Sequence, residues 1–257
     1  MTVLAAVGAL VIGLVLGVLG GGGSILTVPV LAYAVGLPAK QAIATSLPIV
    51  GLASLVGAAS HWRQGNAALA TAVPFGLATM LGAYAGSRLA GLVSGVAQLA
   101  LLGVVMLVAA IAMFRGGIGP RQPAAAASER PTRLALLLGV GVAVGLLTGL
   151  VGIGGGFLIV PALVLLASLP MHRAVGTSLV VITMTSAAGF AGYLSQGVAV
   201  RWGFLLVFAA LAVTGILAGS RMGQRLPQAT LKRAFAVFLL FMAAFVLWSS
   251  RAVLWAS

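Results

Sequence analysis

Two glycine runs are where this chain could bind something without a charged side chain. Gly20-Gly21-Gly22-Gly23-Ser24 leads into an apolar stretch ending in Val28-Pro29, and Gly152-Ile153-Gly154-Gly155-Gly156 leads into one ending in Val160-Pro161. A glycine run interrupts a helix and lets the chain reverse where a side chain would clash. Helices are expected to restart at Ser24 and Phe157. Their first N–H groups lack an intrahelical acceptor and carry the positive end of the helix dipole, so they suit an anion. Ser24 adds a hydroxyl, as N-cap or as ligand. Thr45-Ser46 and Thr177-Ser178 fall in the first turns of long helices. There a hydroxyl either bonds back to the preceding turn or faces a cavity and donates to an oxyanion. The expected substrate-binding set is Gly22, Gly23, Ser24, Thr45, Ser46, Gly154, Gly155, Gly156, Thr177 and Ser178.

Three further residues are candidates for gating or pH sensing. His61 is a side chain whose ordinary titration range lies near neutrality. Arg88 and Arg221 close their helices in matching Gly-Ser-Arg contexts, as snorkelling anchors or as guanidinia that attract anions. A metal site is not expected, because the chain has two histidines and no cysteine. The missing cysteines also exclude disulfides and thiolate chemistry. Nothing in the sequence calls for a cofactor.

The elements that must hold these residues are membrane helices. Of 257 residues, 62% are hydrophobic and only 6% charged, against roughly 25% charged in a soluble domain. The fourteen Lys and Arg face a single acidic residue, Glu129, which stands in a loop. Cation pumps and most proton-coupled carriers use intramembrane carboxylates, and this chain has none to use, so a charged substrate is expected to be an anion. The basic residues are scattered through loops, which argues for helix orientation and against nucleic-acid binding. The apolar segment Met1–Gly20 lacks a basic leader and a small-residue cleavage site, and reads as the first membrane helix.

About 20 apolar residues cross a bilayer. Full-length candidates are Val3–Leu19, Gln41–Ser60, Ala68–Leu89, Val96–Phe114, Leu134–Val151, Ala174–Leu194, Trp202–Met222 and Leu231–Trp248. Ser24–Val35 and Phe157–Leu169 are shorter, and each precedes a proline-containing turn. The polar, Pro/Gly-rich stretch 115–133 is a linker. It separates a first transmembrane repeat, 1–114, from a second, 134–257.

The repeat is explicit at an offset of 132 residues. It carries Pro29 onto Pro161, Pro38 onto Pro170, Thr45-Ser46-Leu47 onto Thr177-Ser178-Leu179, His61 onto Tyr193, Gln64-Gly65 onto Gln196-Gly197, and Gly13/Gly17 onto Gly145/Gly149. One inserted residue later, Gly82-x-x-x-Gly86-Ser87-Arg88 matches Gly215-x-x-x-Gly219-Ser220-Arg221. The paired glycines read as small-xxx-small helix contacts, and Pro29 and Pro161 as kinks. Charge then orients the halves. If each short segment crossed the membrane, Lys and Arg would divide evenly between the sides. If the first helix and the short segment form a hairpin, the second half is inverted. One side then collects Arg63, the linker arginines, Arg173, Arg221, Arg225, Lys232 and Arg233, while Lys40, Arg88, Arg201 and Arg251 keep the other. Lys/Arg excess marks the cytoplasmic side. The expected fold is an all-α polytopic membrane protein of two inverted repeats, each a broken or hairpin-forming N-terminal helix pair plus three transmembrane helices.

The duplicated pattern Gly-x-Gly-Gly-Gly/Ser, an apolar stretch and Val-Pro, with Pro and Thr-Ser downstream, resembles the sulfite exporter TauE/SafE family, also called the 4-toluene sulfonate uptake permease family. The likeness spans nearly the whole chain. It is carried by Gly22, Gly23, Ser24 and Pro29, by Gly154, Gly155, Gly156 and Pro161, and less directly by Thr45, Ser46, Thr177 and Ser178. It implies a multi-pass bacterial inner-membrane transporter or exporter of sulfite, sulfonates or related organosulfur anions. The expected partners are a small anionic substrate and the lipid bilayer, with room for a homo-oligomer. A non-transporting assembly subunit is the alternative. An intramembrane enzyme is disfavoured, because no Gly-x-Ser-x-Gly or His-Glu-x-x-His motif occurs.

Overall fold

The computed structural model describes residues 3–115, 131–151, 156–198 and 200–254. These residues are helical, with short connections and, among them, no strand. The helices are α1 (Val3–Leu19), α2 (Gly22–Pro29, continued by a π-helical turn Val30–Ala34), α3 (Ala39–Arg63), α4 (Leu69–Leu89), α5 (Gly95–Arg115), α6 (Pro131–Val151), α7 (Gly156–Leu165), α8 (Met171–Leu194), α9 (Trp202–Gln224) and α10 (Gln228–Leu254). Five of them, α3, α4, α8, α9 and α10, are long and apolar enough to cross a membrane by length and composition. Outward-facing Leu81, Leu206 and Phe241 are exposed, as a chain solvated by lipid requires.

α1 and α2 form a hairpin. Gly8 of α1 packs on Val30, and Gly23 of α2 packs on the Ile12 and Leu16 backbone, so the two helices run in opposite directions. Gly20 makes the reversal with φ +73°, a conformation costing an L residue with a Cβ about 1–2 kcal/mol. The short helices end alike. Leu37 N–H donates to Leu31 O and Leu169 N–H to Leu163 O, across residues 36 and 168 at positive φ. The first copy uses Gly36 there and the second uses Ser168 (φ 53°).

The long helices approach through glycine. Gly13 and Gly17 of α1 lie on the backbone of α9 around Ala212, Ile216 and Ser220, while Gly215 and Gly219 of α9 lie on Leu10 and Leu14. Gly82 and Gly86 of α4 meet Val142 and Leu146 of α6, and Gly145 and Gly149 of α6 meet Thr79 and Ala83. Residue numbers rise together along both seams, so α1 runs parallel to α9 and α4 parallel to α6. The small-xxx-small glycines thus join α1 to α9 and α4 to α6, helices far apart in the chain. α3 and α8 also pack together. There Leu47 meets Gly189, Ser186 meets Gly51, and Leu179 meets Gly57, so these two equivalent helices run in opposite directions.

These directions sort the charges. α9 runs with α3, since Ile216 meets Gly57 and the Gln224 amide donates to Gln64 Oε1. α8 runs with α4, since Met184 meets Gly76 and Arg88 Nη1 donates to Ser195 Oγ at 2.8 Å. Arg63, Arg173, Arg221 and Arg225 therefore share one end of the bundle with the start of α10 and its Lys232 and Arg233. Lys40, Arg88 and Arg201 share the other end.

A methyl group added at Gly86 would overlap the Leu146 carbonyl. Gly86→Ala is expected to destabilise the detergent-solubilised protein by about 1–3 kcal/mol, the usual range for overpacking, read as a lower thermal unfolding midpoint. Ser168→Gly is expected to raise that midpoint, by at most about 1 kcal/mol, because relief of left-handed strain is offset in part by glycine's larger entropy loss.

Candidate functional site

The first glycine turn touches the start of α7. A Cβ built on Gly21 would collide with the Gly156 carbonyl, and one built on Gly156 would lie 2.6 Å from Gly21 Cα and 2.6 Å from Ile182 Cδ1. Ile182 lies halfway along α8, so the crossing is at mid-height. Gly154 and Gly155 lie outside the described residues, and Gly156 is the residue of the second run that the structure places at the contact. The short helices begin two residues and one residue earlier than expected, at Gly22 and Gly156. This makes Gly21 the N-cap of α2, without a side-chain cap. Ser24 is therefore not an N-cap. It is fully buried in the first turn, and its hydroxyl donates to Gly21 O at 2.7 Å, bracing the reversal. Gly22 packs beside Leu19 and Phe238, and Gly23 serves the α1–α2 hairpin.

The two Thr-Ser pairs divide their duties. Ser46 and Ser178 each donate to a carbonyl three residues back, Ile43 O and Val175 O, both at 2.7 Å. Ser178 also borders the first turn, because a Cβ on Gly20 would sit 2.8 Å from its Oγ. Thr177 points elsewhere. Its Oγ1 accepts a hydrogen bond from Ala68 N at 2.9 Å, pinning the α3–α4 connection onto α8. It is a structural brace between the halves and does not line the crossing. Thr45 is buried.

Two residues absent from the sequence-based set stand out. Ser54 of α3 and Ser186 of α8 are buried, and neither hydroxyl has a hydrogen-bond partner. They are 132 residues apart, so the repeat offset carried this signal. Helical serines ordinarily satisfy themselves on the preceding turn, and a buried orphan polar group calls for an explanation such as a water or an ion. Ser178, Ile182 and Ser186 follow at intervals of four and share one face of α8. By position, Ser46, Val50 and Ser54 do the same on α3. The neighbouring Thr185 and Thr79 hydroxyls are satisfied, 2.8 Å from each other, with Thr79 donating to Gly76 O. The crossing is thus a backbone contact between Gly21 and the start of α7, bordered on α8 by Ser178 and Ile182. It can offer N–H groups and hydroxyls to an oxyanion, and no charge.

The candidate gating residues lie at the ends of the bundle. Arg88 is exposed and tied to Ser195, beside a second link from the Gln196 amide to Ser87 O at 2.7 Å. Arg221 is exposed at the opposite end, where Gln64 and Gln224 join. His61 is buried near that same end. Among the described residues no cluster of three or more metal-binding side chains occurs.

The family model for Sulfite exporter TauE/SafE matches residues 4–246. A "Probable membrane transporter protein" of Xylella fastidiosa (strain Temecula1) is 34% identical over 252 residues, covering 96% of this chain and 93% of that protein. The "Probable membrane transporter protein YdhB" of Bacillus subtilis is 27% identical over 224 residues, covering 87% and 91%. No solved structure matches.

Removing a hydroxyl that bonds to nothing should cost little. Ser54→Ala and Ser186→Ala are expected to leave the thermal midpoint within about 0.5 kcal/mol of wild type, whereas Ser24→Ala should lose about 1 kcal/mol with its hydrogen bond. Calorimetry or a thermal-shift assay in detergent reads the difference.

Proposed function

The chain belongs to the sulfite exporter TauE/SafE family and is a multi-pass membrane transporter, and from that premise we propose that its cargo is a small anion, of the sulfite, sulfonate or related organosulfur class. Residues 1–114 and 134–257 act as two inverted repeats. The opposite directions of α3 and α8 support this, as does the exchange of first helices across the glycine seams. The Arg63 end faces the cytoplasm of a bacterial inner membrane, because it gathers most of the Lys and Arg.

The observation that carries the reading is the mid-height meeting of Gly21 and Gly156, next to Ile182 of α8, with the orphan hydroxyls of Ser54 on α3 and Ser186 one turn beyond Ile182 on α8. Repeat transporters place substrate at such a junction, and irregular backbone at membrane depth is tolerated where it lines a cavity or packs on protein. An oxyanion leaving water must exchange its hydration for donors. Here they are the first N–H groups of α2 and α7 with serine hydroxyls, which bind an anion without the desolvation cost of a buried cation. In this conformation the turns are in backbone contact, so no anion fits between Gly21 and Gly156. The site opens when the α1–α2 hairpin and α7 part, and alternating access follows if they part first toward one face and then toward the other.

The test is flux into proteoliposomes. Sulfite and methanesulfonate should both be carried by the wild-type protein. Ser54→Ala/Ser186→Ala should reduce the rate by at least about tenfold, the lower end of what losing a charge-assisted hydrogen bond of about 1.5–3 kcal/mol implies. Absence of flux for both anions from monodisperse, folded protein would refute the reading.

A further inference from the structure

His61 and His172 are the chain's two histidines, and the fold brings them together. His61 is in the last turn of α3 and His172 in the first turn of α8. The two helices run antiparallel, and a Cβ on Gly176 would lie 3.0 Å from His61 Cβ. Residues 172 and 176 are one turn apart on the same face of α8, so His172 stands beside His61. His61 is 3% exposed, yet neither of its ring nitrogens has a hydrogen-bond partner, and the buried Nε2 of His172 has none either. Three orphan imidazole nitrogens in one place are unusual, since buried polar atoms are nearly always paired. The repeat offset sharpens the contrast. Its counterpart, Tyr193, is equally buried, but its hydroxyl donates to Gly149 O at 3.2 Å.

The surroundings decide what could fill the gap. Gly176 admits the Asn66 carbonyl from the α3–α4 turn, and Thr177 holds that turn in place. Among the described residues, the charged or titratable groups at this end of α3, α8 and their packing partners are Arg63 on α3 itself, His172 and Arg173 on α8, Arg221 and Arg225 at the end of α9, and Lys232 and Arg233 at the start of α10. None is acidic. A divalent cation would meet two imidazoles, no carboxylate and a ring of arginines, and would be repelled. An anion would be attracted by the arginines and by the positive end of α8. Each imidazole can donate one N–H when neutral and two when protonated.

We propose that His61 and His172 form a second anion subsite at the arginine-rich end of the bundle, binding a small oxyanion together with a proton. This rests on the anion-transport reading only for the choice of probe. Protonation supplies the second donor and the charge, and the bound anion in turn favours the protonated rings. By linkage each strengthens the other by the same factor. The subsite lies at the mouth of the transporter, apart from the glycine turns, and gives a chain without membrane carboxylates a place to couple anion and proton.

Having two histidines makes the test direct. Protein carrying [13Cε1]histidine and no histidine tag, in lipid nanodiscs, should give two resonances, assigned with His61→Gln and His172→Gln. Methanesulfonate or sulfate should shift both resonances and move their titration to higher pH. Its affinity should weaken up to about tenfold per pH unit as pH rises through that titration, as one linked proton requires. In liposomes, His61→Gln should transport at a rate that no longer varies with pH, whereas Ser54→Ala/Ser186→Ala should lose rate at every pH. Resonances unmoved by either anion would overturn the subsite while leaving central anion transport standing, and so would resonances moved by zinc alone. Anion-linked shifts without any flux would instead uphold the subsite and count against the transport reading.

Discussion

Backbone-on-backbone approach through glycine is the constraint on which the rest of this structure depends. In lipid no hydrophobic force draws one apolar helix to another, so association relies on close contact and internal hydrogen bonding. α1 on α9 and α4 on α6 achieve it with glycines spaced four apart, each resting on the facing helix backbone. Those two seams fix the height of the α1–α2 hairpin, and so the height at which Gly21 meets Gly156. Wider seams would separate the turns, and the flanking serines would face lipid or water instead of the junction.

The parts legible in the sequence are those written in residues that cannot be exchanged freely. The glycine runs, Pro38 and Pro170, and the Gly-xxx-Gly pairs mark the α1–α2 hairpin, the helix starts and the seams, and α1 has the bounds its apolar stretch suggested. Side-chain direction was much less legible. Thr177 and Ser178 are neighbours of similar chemistry, and only the packing shows that one braces Ala68 while the other borders Gly20. A buried membrane helix is apolar all round, so periodicity does not distinguish a face toward the junction from a face toward another helix. Ser54 and Ser186 were hidden for the same reason. Single serines in long apolar stretches look ordinary until their hydroxyls prove to have no partner.

At the offset of 132 residues the chain differs at three positions with distinct local contacts. Gly36 faces Ser168 across the repeat, Ser24 faces Gly156, and His61 faces Tyr193. The first difference costs local strain. The second puts a hydroxyl brace on one turn only. The third leaves one half with a latched tyrosine and the other with an imidazole that is buried and unsatisfied. Two halves with identical contacts would favour neither face of the membrane.

The exchange of first helices also has a consequence for biosynthesis. Among the described residues the glycine seam of α1 packs on α9, which begins only at Trp202. At translation rates of roughly 5–20 residues per second, α1 waits on the order of ten seconds or more in the bilayer before its mate emerges. During that interval its bare glycine face is open to lipid and to the seams of other nascent chains. Stability in this protein is thus a property of the completed chain, and a ribosome that stalls in the second half leaves a first half that cannot close upon itself.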